Sequence, residues 1–397
     1  NIVTNLFSEL ITLISGLILP RLILTHFGSA CNGLVGSISQ FLGFSAILRA
    51  GMGGAIRAAL YKPLEENDNA SIDGIMAATD RHMKKIGAII GIAILIFSCV
   101  YPFMVQDEYD WFFAFSMVLI IGSTTFIDNF FGIKCKILLQ TDQKYYIQIG
   151  SSVLTSVLTL STSILLIVLG SPIQIVKLGA TIVALVNPLF LNLYVRKKYN
   201  INWKAKPDNN ALKQRWDAFF QQVAVVVNEN IDLVLLTIFV PLSEVSVYNV
   251  HYMVVNNIGK IVNSSVSGVN STFGSIIASN DQKHLTDVFF FLEWLLFAVC
   301  SILYSVTAVM IPGFITLYTS SVTDVDYIRP LFAIVMVIVA LISSSRIPYQ
   351  LLTEAAGKFK ETRNGAILEA VINLISSIIF INYFGIIGVL LGTLTAG

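Results

Sequence analysis

The sequence predicts an all-α polytopic membrane protein, and three observations carry that expectation. Of its 397 residues, 55% are hydrophobic and only 12% charged, against about 25% charged in a soluble domain. The apolar residues gather into runs of about 20, the length a helix needs to cross a bilayer. The Lys and Arg between those runs fall almost wholly in alternate loops. A chain so poor in charge cannot cover a water-facing surface, and none of its loops is long enough to hold a soluble enzyme domain.

Twelve spans are expected, at roughly 3–26, 33–60, 85–105, 111–137, 146–169, 174–195, 216–240, 244–275, 286–311, 327–352, 365–383 and 386–397. The first runs through Pro20, which removes a backbone donor and kinks the helix just before Arg21. The second is rich in glycine (Gly33, Gly36, Gly43, Gly51, Gly53, Gly54), which lets helices approach closely. Residues 74–84 read as an amphipathic lead-in to the third span, lying at the membrane interface. The second and eighth are long and polar in parts, the seventh holds the most polar patch of any span, and the twelfth is expected to be a truncated helix. The chain reads as a trimmed piece of a longer protein, and its first segment is too long for a cleavable signal peptide.

Orientation follows from the cations. Of 25 Lys and Arg, 19 lie in loops on one side, among them Arg57, Arg81, Lys84, Lys85, Lys134, Lys144, Arg196, Lys198, Lys213, Arg215, Lys358 and Arg363. Only Lys177 and Arg329 lie on the other, beside acidic residues such as Asp107, Glu108 and Asp110. The N-terminus is therefore expected in the cytoplasm. The longest polar loop divides the chain into a six-helix lobe at 1–198, a basic cytoplasmic linker at 199–212 and a second lobe at 213–397. Leu-Thr-His-Phe at 24–27 aligns with Leu-Thr-Ile-Phe at 236–239, which suggests a repeat. An even number of spans per half makes the repeats parallel, related by a pseudo-two-fold axis along the membrane normal.

Ionisable residues inside spans cost about 2.5–3.5 kcal/mol on insertion scales and are functional candidates by default. The cations are Arg21, Arg49, Lys260 and Arg346. The repeat makes Arg49 and Lys260 near-equivalents, so two cations face one cleft on the functional reading; snorkelling or pairing with carboxylates is the plain alternative. The carboxylates are Glu9, Asp128, Glu229, Asp232, Glu293 and Glu369. Glu229 and Asp232 share a helix face, and with Asp128 they are the candidates for coupling to Na⁺ or H⁺. Gln40, Asn187, Asn256, Asn257, Asn263 and Ser264 supply hydrogen-bonding groups, of which Gln40 and Asn256 are taken as substrate contacts. Neither the four Cys nor the four His show metal-ligand spacing. No GxxxxGK[ST] occurs, so no P-loop binds ATP. No metal, bound cofactor or nucleic-acid partner is expected.

Leu-Ile-Leu-Pro-Arg-Leu-Ile-Leu at 17–24, Gly-Leu-Val-Gly-Ser-Ile-Ser-Gln-Phe at 33–41 and Leu-Arg-Ala-Gly-Met-Gly-Gly-Ala-Ile-Arg-Ala-Ala-Leu at 48–60 resemble oligosaccharide flippases of the Wzx type. So do Asn-Ile-Asp-Leu-Val-Leu-Leu at 230–236 and Val-Ser-Val-Tyr-Asn at 245–249. These flippases belong to the multidrug, oligosaccharidyl-lipid and polysaccharide exporter superfamily, with multidrug extruders and the lipid II flippase. The resemblance implies a MATE-like fold with two six-helix lobes around a central cleft. It implies a polyprenyl-diphosphate-linked oligosaccharide as cargo, membrane lipids and a polysaccharide polymerase as partners, and the bacterial inner membrane as location. In lipid II flippases arginines of spans 1, 2 and 8 line the cleft; the matching positions are Arg21, Arg49 and Lys260, the last lacking the guanidinium fork. Two alternatives of the same fold stand beside this reading: a Na⁺- or H⁺-coupled multidrug extruder and a lipid II-type flippase. A non-transporting scaffold is a third, of a different class.

Overall fold

The computed structural model describes residues 2–396 apart from 51, 200, 204, 209–215, 267–268, 270–272, 274–275, 278–280 and 357–358. It does not describe the side chains of 2–10, 216–218, 220–221, 224, 354 and 359–360. Gly51, Lys204, Lys213, Arg215 and Lys358 lie outside the described residues, as does the Glu9 side chain.

The chain is all-helical. In order the helices are α1 (Ile2–Gly43), α2 (Met52–Glu65), α3 (Asn69–Met104), α4 (Trp111–Ile127), α5 (Ile133–Thr141), α6 (Tyr145–Val168), α7 (Ile173–Ala184), α8 (Val186–Tyr199), α9 (Trp216–Phe239), α10 (Leu242–Val266), α11 (Gln282–Tyr318), α12 (Pro330–Ser345), α13 (Ile347–Ala355), α14 (Phe359–Phe384) and α15 (Ile386–Ala396). Among the described residues eight helices are long and apolar enough to cross a membrane. Large apolar side chains such as Ile92, Leu95 and Ile96 on α3 and Phe290, Phe291 and Trp294 on α11 stand exposed. On helices of bilayer length, an apolar surface of that size suits lipid. The protein is a multi-pass membrane protein.

Several expected spans prove to be broken helices. α1 holds the first span and the start of the second, divided at Gly28, whose φ of 82° is a conformation only glycine adopts cheaply. The rest of the second span is a 3₁₀ turn, Phe44–Arg49, followed by α2. The fourth is α4 and α5 joined by a π-helical turn, Asp128–Gly132. The sixth and tenth break at Leu185 and Arg346, two or three residues before Pro188 and Pro348, as a proline's demand on the preceding turn requires. α9 and α10 have 24 and 25 residues, enough to span.

One expectation is corrected. Residues 74–84 do lead into α3 without a break, but their apolar side does not lie against a membrane surface: Gly74, Ile75, Met76, Ala77, Ala78, Thr79, Asp80 and Met83 are buried in the protein. Protein packing, not a lipid surface, takes up the apolar side of that segment. Asp80 pairs there with Lys134, and Lys84 Nζ lies 2.7 Å from the same carboxylate. The Trp203 ring covers Lys134 at 5.0 Å, and the backbone N–H of Asp208 donates to Gly74 O at 3.1 Å. The described part of the linker is thus docked on the start of α3.

The halves repeat their local punctuation. Asp68 caps α3, accepting from the Ser71 N–H at 3.2 Å, and Asp281 caps α11, accepting from the His284 N–H at 3.0 Å. These caps satisfy the orphan donors of the two longest unbroken helices, of 36 and 37 residues. Each of those helices carries one proline near its far end, Pro102 and Pro312.

The chain forms two compact units: residues 1–27 with 38–222, and residues 28–37 with 223–397. The second unit therefore contains ten residues of α1, a feature the sequence does not announce.

Candidate functional site

In the first unit the charged candidates gather around the π turn. Arg49 ends the 3₁₀ segment and is half-buried; its Nη1 donates to Asn129 Oδ1 at 3.4 Å. Asn129 is itself fixed, its Nδ2 donating to Thr125 O at 2.7 Å. The neighbouring Asp128 acts on Arg49 through space, but its carboxylate accepts from Lys136 Nζ at 2.6 Å. The guanidinium therefore rests on a neutral amide while the nearby carboxylate is engaged by another cation. A π turn widens the helix by one residue and recurs at functional positions; here it brings Asp128 and Asn129 to one locality. Arg21 is exposed just after Pro20, and Gln40 is half-buried farther along α1. Asn187 is held by Ser151 at 2.7 Å and Ser152 at 3.1 Å, which makes it a tie between α6 and α8.

In the second unit the buried chemistry centres on Asp232 of α9. Tyr248 Oη donates to its Oδ2 at 3.0 Å. Thr393 Oγ1 lies 3.3 and 3.5 Å from the two carboxylate oxygens, 3.4 Å from Asn373 Oδ1 and 3.2 Å from Val389 O. Ser377 Oγ lies 2.9 Å from Asn373 Oδ1 and 3.3 Å from Val389 O. A hydroxyl has one proton, so Thr393 can satisfy only one of the four oxygens crowding it. An all-oxygen cluster with one carboxylate suits a hard cation or a shared proton.

The turn at Gly385, with φ 56°, folds α15 back on α14. A Cβ on Gly392 would stand 2.0 Å from Ser377 Oγ, so the two helices touch backbone to side chain. That approach is what brings Thr393 and Val389 to Asn373.

The other candidates of the second unit are dispersed. Arg346 makes a two-pronged ion pair with Glu369, at 2.8 and 2.7 Å. The Tyr349 hydroxyl donates to Glu293. Lys260 is exposed on α10, Asn256 and Asn257 are half-buried on the same helix, and Glu229 is exposed on α9. Among the described residues no three His, Cys, Asp or Glu side chains gather as a metal would require. Sequence reasoning singled out Asp232 but not Tyr248, Asn373, Ser377 or Thr393, because neutral residues in apolar helices give no separate signal.

No protein-family profile matches the chain, and no curated protein matches its sequence. Solved structures do match its fold. A multidrug resistance MATE family transporter of the MOP superfamily, in an inward-facing conformation, superposes with a TM-score of 0.76 at 14% identity, over 100% of this chain and 94% of that one. The lipid II flippase MurJ, in an inward closed conformation, superposes with a TM-score of 0.75 at 18% identity, over 99% of this chain and 84% of that one. An outward-facing MATE family transporter gives 0.69 at 16% identity, over 100% and 91%. The chain has the fold these transporters share.

Proposed function

We propose that this protein is a flippase that carries a polyprenyl-diphosphate-linked oligosaccharide from the cytoplasmic to the outer leaflet of a bacterial inner membrane. The observation that carries the reading is Arg49, a half-buried guanidinium held by the neutral Asn129 while Lys136 engages the nearest carboxylate. Arg matches phosphate oxygens with parallel N–H donors, and a partly desolvated cation not neutralised by direct pairing favours an anionic cargo. Arg21 and Lys260 are both exposed, as contacts to such a cargo have to be. Gln40 and Asn256 supply hydrogen bonds to sugar hydroxyls, and Arg346 takes part only by exchanging its Glu369 partner. The bias of Lys and Arg to alternate loops supports a cytoplasmic N-terminus.

The energy comes from the membrane. Outward movement of an anion is downhill by about 2.3 kcal/mol per charge per 100 mV when the cytoplasm is negative. Asp232 is the ion-coupling group on this reading, taking Na⁺ or H⁺ within its ring of hydroxyl and carbonyl oxygens. Glu229 and Asp128 remain the lesser candidates.

Flipping of a fluorescent polyprenyl-diphosphate oligosaccharide in proteoliposomes tests the proposal. Arg49→Ala and Lys260→Ala should each lower the rate at least tenfold, the loss expected when one charge-assisted contact disappears. Undiminished flipping in both variants would remove the cationic site. A second reading, a cation-coupled multidrug extruder, is favoured by the Asp232 cluster alone. Drug export that survives Arg49→Ala and stops with Asp232→Asn would select it.

A further inference from the structure

Arg57 stands on α2, and its partner is not a carboxylate. Its Nη1 donates to Gln140 Oε1 at 3.1 Å, near the end of α5. Among the described residues no carboxylate lies within ion-pair distance of it. The arrangement repeats that of Arg49, whose Nη1 donates to Asn129 Oδ1 at 3.4 Å. Each amide oxygen occupies one of a guanidinium's N–H donors and leaves its charge uncancelled.

Around α5, among the described residues, three carboxylates are engaged, each by lysine. Asp128 accepts from Lys136 Nζ at 2.6 Å, and Asp142 from Lys144 Nζ at 2.6 Å. Asp80 is paired with Lys134 and, at 2.7 Å, with Lys84. Lys134 and Lys136 are on α5 itself, and Lys144 lies just beyond its end. Here lysine neutralises the acids while both arginines rest on neutral amides. A guanidinium offers parallel donors that match phosphate oxygens, whereas an ammonium is a point charge. The pairing thus keeps the fork-shaped cations available.

The two arginines are too far apart to make one site. Arg57 follows Arg49 by eight residues, about 12 Å at 1.5 Å per residue. Gln140 follows Asn129 by eleven, about 16 Å on the same rise. A single diphosphate is shorter than either, so the arginines are successive stations. Both pairs keep chain order, so α2 and α5 run side by side in one direction. That direction leads to the basic loops, and to the cytoplasm on the proposed orientation. The strip of α2 between the stations is bare. A Cβ on Gly54 would meet nothing within 4 Å, and one on Gly53 only Arg57 Nη1, at 3.8 Å.

We infer that Arg57 and Gln140 form a loading station for the diphosphate of a lipid-linked cargo, met from the cytoplasmic side before Arg49. The inference rests on the flippase reading and adds a second place on its path. An arriving phosphate replaces one neutral hydrogen bond, that of the Gln140 amide, with charge-assisted ones of about twice the strength. The Nε2 group of Gln140 can then donate to the same anion.

Inorganic pyrophosphate, titrated calorimetrically into the detergent-solubilised full chain, is the first probe. The parent should bind at least two equivalents, of which one disappears in Arg57→Gln and another in Arg49→Ala. Arg57→Lys should keep its equivalent at several-fold weaker affinity, which a collapsed fold would not. Binding that depends on Arg49 but not on Arg57 overturns the station alone. Binding that depends on Arg57 but not on Arg49 supports the station and overturns the Arg49 site alone. No binding by the parent overturns both. The second probe is flipping of the polyprenyl-diphosphate oligosaccharide in proteoliposomes made with and without phosphatidylglycerol, whose headgroup presents the same phosphate chemistry. Arg57→Gln should raise the apparent Michaelis constant about tenfold in both mixtures, the worth of one charge-assisted contact, and by a larger factor than it lowers the saturated rate. A constant that changes only when phosphatidylglycerol is present would assign Arg57 to bulk phospholipid and overturn it as a cargo station.

Discussion

Replacing Lys134 with methionine isolates the most deeply buried ion pair of the first unit. The Lys134 side chain is 2% exposed and that of its partner Asp80 is 9% exposed. Removing one member of a buried pair costs about 3–5 kcal/mol, because the remaining charge is stranded. Asp80 keeps one companion, Lys84 at 2.7 Å, but that side chain is 48% exposed, and pairs with an exposed member are worth about 0.2–1 kcal/mol. Losing the cation under the Trp203 ring adds about 1 kcal/mol, while methionine keeps most of the packing volume. The net expectation for Lys134→Met is a loss of about 4 kcal/mol. The double variant Asp80→Leu, Lys134→Met should regain most of it, since apolar residues of similar volume replace a buried pair at little cost. SDS titration of the protein in mixed micelles, followed by tryptophan fluorescence with Trp203 above the pair, gives both numbers. A single variant within about 0.5 kcal/mol of the parent, or a double variant less stable than the single, would refute the reasoning.

Gly392→Val should cost about 1–3 kcal/mol by overpacking against Ser377, and should weaken any stabilisation by Na⁺ or acid in a thermal-shift titration, because it spreads α14 from α15. Tyr248→Phe removes the 3.0 Å donor to Asp232; a hydrogen bond to a charged group is worth about 1.5–3 kcal/mol, so the same titration should need at least tenfold more or less cation, with Asp232→Asn abolishing the response. Arg346→Lys loses the two-pronged geometry on Glu369 and should lower stability by about 1 kcal/mol, whereas Arg346→Ala combined with Glu369→Ala should fall less than the sum of the singles in a double-mutant cycle.

The helix order was legible because two signals are local: apolar runs of bilayer length, and cations confined to alternate loops. Pro188 and Pro348 likewise mark the breaks seen two or three residues before them. The 74–84 segment misled because an amphipathic pattern reports an apolar face and not what covers it; in the fold, protein covers it. Asp232 stood out as a charge in an apolar helix, but its partner Thr393, 161 residues away, did not. Membership of residues 28–37 in the second unit depends on contacts such as Ser29 with Asp324, across 295 residues, while covalent order places the segment in the first half. Periodicity along one helix carries no information about a partner that far away.

Around Arg49 the number of charges matters less than their pairing. Arg49, Asp128 and Lys136 together carry one net positive charge, and Lys136 occupies the carboxylate at 2.6 Å. On the proposed reading Lys136 is a positioning residue, which keeps Asp128 from closing on Arg49. Lys136→Gln frees that carboxylate and brings the local charge to zero, so the apparent Michaelis constant for a diphosphate-linked cargo should rise about tenfold, the worth of about 1.4 kcal/mol. Asp128→Asn together with Lys136→Gln restores the single positive charge without restoring either original side chain, and should return the constant to near its starting value. Recovery in that double variant separates electrostatics from packing, because a packing role for Lys136 would leave both variants equally impaired. Proteoliposome flipping at a series of cargo concentrations reads the constant. An unaltered constant in Lys136→Gln would mean that Arg49 does not meet the anion.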